Sequence, residues 1–303
     1  MTLLFLSSAE RAAVWVAAFE AAGEKIIVGE EAVTDPAEVT HLLCWTPPKD
    51  LQRYPNLQVV ISSGAGVDQM PALPAGMELV RALDPGIEEM VRDWVVMATL
   101  MLHRTMPAYL EQAGQGQWKP QAVSHARNAR VGIMGMGRIG TLAAQTLGGM
   151  GFKVSGWSRS GRAVADVPVY GLQDLDRFLG QSDILICLLP LTAETRGILN
   201  AALFAKLPEA AALVHAGRGA QLDMQAMRDA LDSGALRHAM LDVTNPEPLP
   251  ADHWAWRDPR VIVTPHIAAV TDHHAGALHA LEVVRATRTK SPLPGRVDQN
   301  RGY

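Results

Sequence analysis

The stretch that most constrains this chain is Val131-Gly132-Ile133-Met134 running directly into Gly135-Met136-Gly137-Arg138-Ile139-Gly140. A short apolar run bounded by glycines reads as a strand buried on both faces. Three glycines at these offsets, between such a strand and a helix, form the turn that accepts a dinucleotide pyrophosphate. Gly135 permits the tight turn, Gly137 lets the backbone approach phosphate, and Gly140 lets the helix pack on the strand. The helix expected over Thr141 to Met150 offers unpaired N–H groups and a partial positive charge at its start. Arg138 and Ile139 lie within the turn and are counted as cofactor-binding with the glycines. The glycines alone would equally suit an ordinary turn; the strand before and the helix after select the dinucleotide reading.

The rest of the chain repeats the strand–helix alternation. Leu3 to Leu6, Lys25 to Val28, His41 to Trp45 and Leu57 to Ser62 read as strands, with an alanine-rich helix over Arg11 to Ala22. Ile87 to Arg104 reads as a buried helix, and Glu111 to Asn128, with Gly114, Gly116 and Pro120, as a loop or linker. From Arg130, strands are expected at Val131 to Met134, Lys153 to Trp157, Asp183 to Leu189, Ala211 to His215, His238 to Val243 and Val261 to Val263. A helix is expected past Thr271. Such alternation implies an α/β fold with parallel sheets, and 303 residues exceed what one core usually supports, so two domains are expected. A net charge of -4 without a long run of one sign argues against a nucleic-acid partner. No stretch has the length and apolarity of a membrane span, and the opening Met1-Thr2-Leu3-Leu4-Phe5-Leu6 reads as a first strand rather than a signal. The two cysteines, Cys44 and Cys187, sit in apolar runs and read as reduced, buried thiols, which suits the cytoplasm.

The second strand of the dinucleotide unit chooses between cofactors. An acid at its end would bind the ribose hydroxyls of NAD, but this chain reads Trp157-Ser158-Arg159-Ser160-Gly161-Arg162. Arg159 would pair with a 2′-phosphate through its planar fork, and Ser158 or Ser160 would hydrogen-bond it. NADPH is therefore favoured, with NADH as a weaker second cofactor. The alternative is that these arginines are solvated and either dinucleotide serves.

A dinucleotide that delivers hydride to a carbonyl needs a proton donor for the carbonyl oxygen and, where the substrate is an acid, a cation for its carboxylate. Three late segments offer such groups: Val214-His215-Ala216-Gly217-Arg218-Gly219, Asn245-Pro246-Glu247-Pro248, and Val263-Thr264-Pro265-His266-Ile267-Ala268. Arg218 lies between two glycines, where the backbone can turn and aim a guanidinium. Glu247 is stiffened by flanking prolines, and His266 follows a strand. Each taken singly is equally an ordinary loop residue, and position alone does not select one of ten histidines. His273, His274 and His279 tempt a metal reading, but no acid or cysteine pattern joins them and no metal is expected.

Taken together, these segments resemble the D-isomer-specific 2-hydroxyacid dehydrogenases. The resemblance runs from Ser63-Gly64-Ala65-Gly66-Val67-Asp68 through the glycine turn to the Arg, Glu and His segments in the family's order. It is greatest to the glyoxylate/hydroxypyruvate reductase A branch, on Cys44-Trp45-Thr46-Pro47-Pro48, Trp157-Ser158-Arg159-Ser160 and the end Gln299-Asn300-Arg301-Gly302-Tyr303. It implies a discontinuous, flavodoxin-like substrate domain (1–94 plus 273–303) and a Rossmann-type cofactor domain (95–272), both doubly wound, with the active site in the cleft. Arg218 would bind the substrate carboxylate, His266 would be the general acid, and Glu247 would hydrogen-bond His266 and favour its charged form. Ala65 and Gly66 would offer backbone N–H groups to the carboxylate, Trp45 would limit substrate size, and Trp118 would reach a partner subunit's site. Asp242 would hold the nicotinamide carboxamide, and Leu189, Pro190, Thr195 and Ala216 are counted with the cofactor site. The implied activity is NADPH-dependent reduction of glyoxylate and hydroxypyruvate by a homodimer. A bulkier keto acid such as phenylpyruvate, or a non-catalytic dinucleotide sensor, are the competing readings. One departure stands out: His215 lies where the family often has asparagine, and would alter hydrogen bonding on the nicotinamide side.

Overall fold

A computed structural model describes residues 1–164 and 166–298; the Gln299–Tyr303 segment used in the resemblance lies outside the described residues. The chain divides into two compact units, Met1–Ile87 with Val270–Tyr303, and Glu88–Ala269. The divisions thus fall at 87/88 and 269/270, where the sequence placed them at 94/95 and 272/273.

The first unit opens with β1 (Thr2–Leu6), α1 (Ala9–Ala21), β2 (Lys25–Val28), β3 (Val39–Cys44), β4 (Val59–Ser62) and β5 (Glu78–Val80). The strands are all parallel in the order β2-β1-β3-β4-β5, the flavodoxin-like arrangement. Period-two alternation sends successive residues of β1 to opposite faces. Leu3 and Phe5 join the cluster with Trp15 and Phe19 of α1, while Leu4 packs on the other face with Leu42, Tyr54 and Val60. The Ser8 hydroxyl accepts the Arg11 N–H and starts α1.

The second unit begins near the start of α2 (Pro85–His103), followed by α3 (Met106–Gly114), β6 (Arg130–Met134), α4 (Arg138–Gly149), β7 (Lys153–Trp157) and β8 (Val169–Tyr170). It continues through α5 (Leu175–Leu179), β9 (Ile184–Cys187), α6 (Ala201–Phe204), β10 (Ala211–His215), α7 (Met224–Ser233), β11 (Leu236–Leu241) and β12 (Val261–Val263). Its seven strands are parallel in the order β12-β11-β10-β9-β6-β7-β8. Strand order reverses between β6 and β9, the switch point outside which α/β sheets bind ligands. The chain then returns to the first unit as α8 (His273–Thr289), whose Ala277, Ala280, Leu281 and Val284 complete the core against α1. The Asp272 carboxylate caps α8 by accepting the Ala275 N–H.

The sequence reading missed short β5 and β8, which have too few residues for a periodic signal. It read a loop from Glu111, where α3 runs on to Gly114 before regular structure ceases. It also began the helix after the glycine turn at Thr141, whereas α4 starts at Arg138. Among the described residues, no helix is long and apolar enough to cross a membrane.

Several histidines are buried. His41 sits between Thr40 Oγ1 at 2.9 Å and Thr287 Oγ1 at 3.0 Å. His238 lies beside Arg237, Arg260 and Asp258, and its Nδ1 has no partner among the described residues. Burial pushes His41, His215 and His238 down to about 4. An unfolded histidine titrates near 6.5. Between those values the unfolded chain binds protons that the folded chain does not, so stability is full above the unfolded value and is lost as pH falls toward 4. The loss is about 1.4 kcal/mol per pH unit per histidine at its steepest. Resistance to urea should therefore fall progressively from about pH 6.5 to 4.5. His238→Gln should reduce the slope of stability against pH by about one proton; an unchanged slope would count against this account.

Candidate active site

Apart from the segment that carries Trp118, every loop singled out in the second unit follows a strand of one parallel sheet, so these leave at the same edge. Backbone hydrogen bonds continue past the strand ends and link neighbouring loops: Gly135 N–H to Trp157 O, Leu188 N–H to Met134 O, Ala216 N–H to Cys187 O, and Asp242 N–H to His215 O.

The three glycines of the turn do three different things. Gly135 has φ +105°, a conformation L side chains rarely adopt, and a Cβ there would lie 2.8 Å from the Leu188 carbonyl oxygen. At Gly140 a Cβ would overlap the Gly135 carbonyl, so the glycine permits α4 to pack on the strand. A Cβ at Gly137 would meet nothing within 4 Å, and this N-cap of α4 makes no side-chain capping bond. The turn therefore fits a pyrophosphate: open space at the glycine and a helix start of twelve residues whose N–H groups lack a cap. Arg138 Nε lies 2.7 Å from Glu88 Oε1. β7 ends at Trp157 without an acid, and Ser158, Arg159 and Ser160 follow; the Ser158 and Ser160 hydroxyls are 3.5 Å apart. Leu189 and Pro190 follow β9, and the Thr195 hydroxyl is spent on this loop, donating to Pro190 O at 2.7 Å and accepting the Thr192 N–H at 2.8 Å.

Arg218 follows β10. Neither flanking glycine adopts a positive φ, so a special turn conformation is not what requires them. Close approach requires them instead. A Cβ at Gly217 would overlap Gln221 Oε1, and one at Gly219 would overlap the Thr244 carbonyl. Arg218 N–H donates to Gln221 Oε1 at 2.8 Å, and Arg218 Nη1 donates to Gly217 O at 2.9 Å. His215 is fully buried with Nε2 3.0 Å from the Arg218 carbonyl, so its ring meets the arginine turn.

His266 follows β12, and its Nδ1 lies 2.9 Å from Glu247 Oε2. Glu247 Oε1 accepts the Thr244 N–H at 3.0 Å, so one carboxylate both orients the ring and anchors its own loop. His266 has φ +54°, a rare conformation for a residue with a Cβ. Asp242, only 2% exposed, holds it there. Asp242 Oδ1 accepts from Thr264 Oγ1 at 2.6 Å and Ile267 N–H at 2.9 Å, Oδ2 accepts from Ala268 N–H at 2.8 Å, and the Asp242 carbonyl accepts the His266 N–H at 2.9 Å. Both oxygens of Asp242, which the resemblance assigns to the nicotinamide carboxamide, also brace the histidine loop. Ring and carboxylate remain partly open to solvent, and His266 Nε2 hydrogen-bonds no described residue.

In the first unit, Trp45 follows β3 and the Ser63–Val67 loop follows β4. A Cβ at Gly64 would come 2.8 Å from the Trp45 ring, which therefore lies across that glycine while staying 52% exposed. Ser62 Oγ donates to Gly66 O at 3.0 Å and fixes the loop that carries Ala65 and Gly66. In the second unit Trp118 is 97% exposed. Sequence reasoning missed Gln221, Thr244 and Thr264. Their only signal was a polar residue among small or apolar neighbours, which does not distinguish a buried partner from a surface residue.

The family profile of the D-isomer specific 2-hydroxyacid dehydrogenase NAD binding domain matches residues 96–268. Glyoxylate/hydroxypyruvate reductase A of Salmonella newport (strain SL254) is 36% identical over 312 residues, covering 100% of both chains. The crystal structure of an NADPH-dependent glyoxylate/hydroxypyruvate reductase from Sinorhizobium meliloti, in complex with NADP and sulfate, is 38% identical, with a TM-score of 0.92 over 100% of this chain and 99% of that one. A D-isomer specific 2-hydroxyacid dehydrogenase from Xanthobacter autotrophicus Py2, in complex with NADPH and MES, is 35% identical, with a TM-score of 0.93 and the same coverage.

The glycine turn separates packing from ligand contact. Gly137→Ala, at φ -77° with open space around it, should leave the melting temperature of the dinucleotide-free chain within about 1 °C but weaken dinucleotide binding about tenfold or more. Gly140→Ala should destabilise by about 2 kcal/mol or more through overpacking. Calorimetry with and without dinucleotide reads both, and equal melting temperatures for the two variants would refute the assignment.

Proposed function

This chain belongs to the D-isomer specific 2-hydroxyacid dehydrogenase family, and on that premise we propose that it reduces short 2-keto acids, glyoxylate and hydroxypyruvate, with NADPH. The observation that carries the reading is the His266–Glu247 pair, 2.9 Å apart, at the same sheet edge as a glycine turn open to pyrophosphate. Relatives named as such reductases, and neighbours crystallised with NADPH or NADP, support both substrate class and cofactor.

The backbone N–H groups at the start of α4 receive the pyrophosphate, and Ser158, Arg159 and Ser160 receive the 2′-phosphate. Bound there, the dinucleotide supplies the hydride. Arg218 takes the substrate carboxylate in a bidentate pair and polarises the neighbouring carbonyl. His266, charged, gives its Nε2 proton to the carbonyl oxygen as the carbon gains hydride; the product is the 2-hydroxy acid, and the neutral ring recovers a proton from solvent. Glu247 keeps Nδ1–H directed at its own carboxylate, so Nε2 is the nitrogen that exchanges the proton. In the first unit, the N–H groups of Ala65 and Gly66 are assigned to the carboxylate and Trp45 to limiting substrate size.

We assign the chain to homodimers, supported by Met97, Leu110, Trp118 and Val123, large apolar side chains exposed on the second unit. A cytoplasmic location fits Cys44 and Cys187, unpaired thiols that burial pushes up to about 12.

Initial rates of NADPH oxidation with glyoxylate and hydroxypyruvate test the activity; no turnover on any short 2-keto acid would overturn it. His266→Ala should lower kcat about 10²- to 10⁴-fold while NADPH still binds. Arg159→Ala should weaken NADPH much more than NADH, and an equal effect on both would remove Arg159 from the phosphate site.

A further inference from the structure

The guanidinium of Arg218 is useful only if its backbone is fixed, because a displacement of about 1 Å at a substrate-positioning group costs on the order of 10²-fold in rate. Two fully buried polar side chains meet the peptide groups on either side of its Cα. On one side Arg218 N–H donates to Gln221 Oε1 at 2.8 Å. On the other the Arg218 carbonyl receives His215 Nε2 at 3.0 Å and the Gln221 N–H at 2.9 Å. The side-chain amide of Gln221 then donates in the opposite direction, to Leu189 O at 3.1 Å and Pro190 O at 3.0 Å. This network fixes the amide's orientation: the reverse placement would set its oxygen against two carbonyl oxygens. Gly217 completes the arrangement, since a Cβ there would overlap Gln221 Oε1, lie 3.0 Å from Leu189 O and 3.3 Å from His215 Cε1.

The chemistry also fixes the histidine. A carbonyl can only accept, so His215 must carry its proton on Nε2. Nδ1 is then a bare acceptor, and it has no hydrogen-bond partner among the described residues. Burial pushes this ring down to about 4, with the carbonyls of Arg218 and Cys187 opposing, so it is neutral at pH 7. A buried neutral imidazole of this kind does not exchange protons with substrate; it holds a backbone.

We propose that His215 and Gln221 are positioning residues that fix Arg218 from both sides, and that Gln221 links this grip to the Leu189–Pro190 loop of the cofactor site. The assignment rests on reading Arg218 as the carboxylate-holding group. It makes the two residues unequal. The hydrogen bond of His215 goes to the arginine turn, so its loss acts on the substrate. Gln221 joins that turn to the loop after β9, so its loss acts on substrate and dinucleotide together.

The test uses oxalate as a carboxylate probe alongside turnover. His215→Phe should raise KM for glyoxylate and the oxalate Kd of the NADPH complex about tenfold, with NADPH Kd within about twofold. His215→Gln, whose amide N–H can reach the same carbonyl, should restore both to within about threefold of the parent. Gln221→Met, of similar length without hydrogen-bonding groups, should raise the oxalate and NADPH Kd values together. An unchanged oxalate affinity in His215→Phe, or NADPH weakened by the same factor, would overturn the proposal. A parent that reduces no 2-keto acid would overturn the reductase reading instead, while the oxalate ratios still decide this one. Nitrogen-15 spectra of histidine-labelled parent protein keep the test open even if a variant fails to fold. A neutral ring protonated at Nε2 is expected at pH 7; an Nδ1–H tautomer or a charged ring would sink the assignment.

Discussion

The carboxylate of Asp242 holds together the part of the molecule where the chemistry is assigned. It is buried at the end of β11 and accepts three hydrogen bonds from residues 264–268, while its own carbonyl receives the His266 N–H. A buried carboxylate without partners would cost several kcal/mol; with these donors it becomes a rigid anchor. The anchor also explains how His266 keeps a left-handed backbone, which an isolated residue with a Cβ would leave. From that fixed backbone the ring reaches Glu247, and Glu247 in turn holds the Thr244 N–H.

The same logic of close backbone approach extends across the sheet edge. Gly219 lets the arginine turn seat against Thr244, and Gly217 admits Gln221 and His215 to the peptide of Arg218. The arginine turn is thus in contact with the loop that Glu247 anchors. Gln221 carries the connection on to Leu189 and Pro190, and the ladder bond from Leu188 N–H to Met134 O brings it to the strand that feeds the glycine turn. Each loop would have its own flexibility; joined through the buried Gln221 amide, the buried Asp242 carboxylate and Glu247, they form one framework. A preorganised set of donors avoids reorganisation when charge develops on a substrate.

Much of this was legible in residue order. The apolar runs located the longer strands, and the glycine spacing marked the candidate dinucleotide turn because strand, turn and helix are contiguous. Arg218, Glu247 and His266 were recognisable together through the resemblance, and parallel strands deliver the loops that carry them to one edge. Less legible was why particular residues are present. The glycines beside Arg218 looked like hinges but are contact points. That Asp242 braces the histidine loop had no sequence signal. Short β5 and β8 left no periodic trace, and α3 runs through part of a segment whose glycines and proline suggested a linker.

By itself, then, the sequence determined the α/β class, the glycine turn between strand and helix, the absence of an acid after β7 and the candidate chemical groups, because these depend on residues adjacent in the chain. Only the tertiary structure decided how those groups are held. That α8 returns to cover the sheet of the first unit, that Glu247 meets Nδ1 of His266, and that His215 and Gln221 grip Arg218 are contacts between segments with no local sequence signature. Burial decides them: a buried polar side chain must find a partner, and which partner it finds is set by where the sheet has placed the other loops.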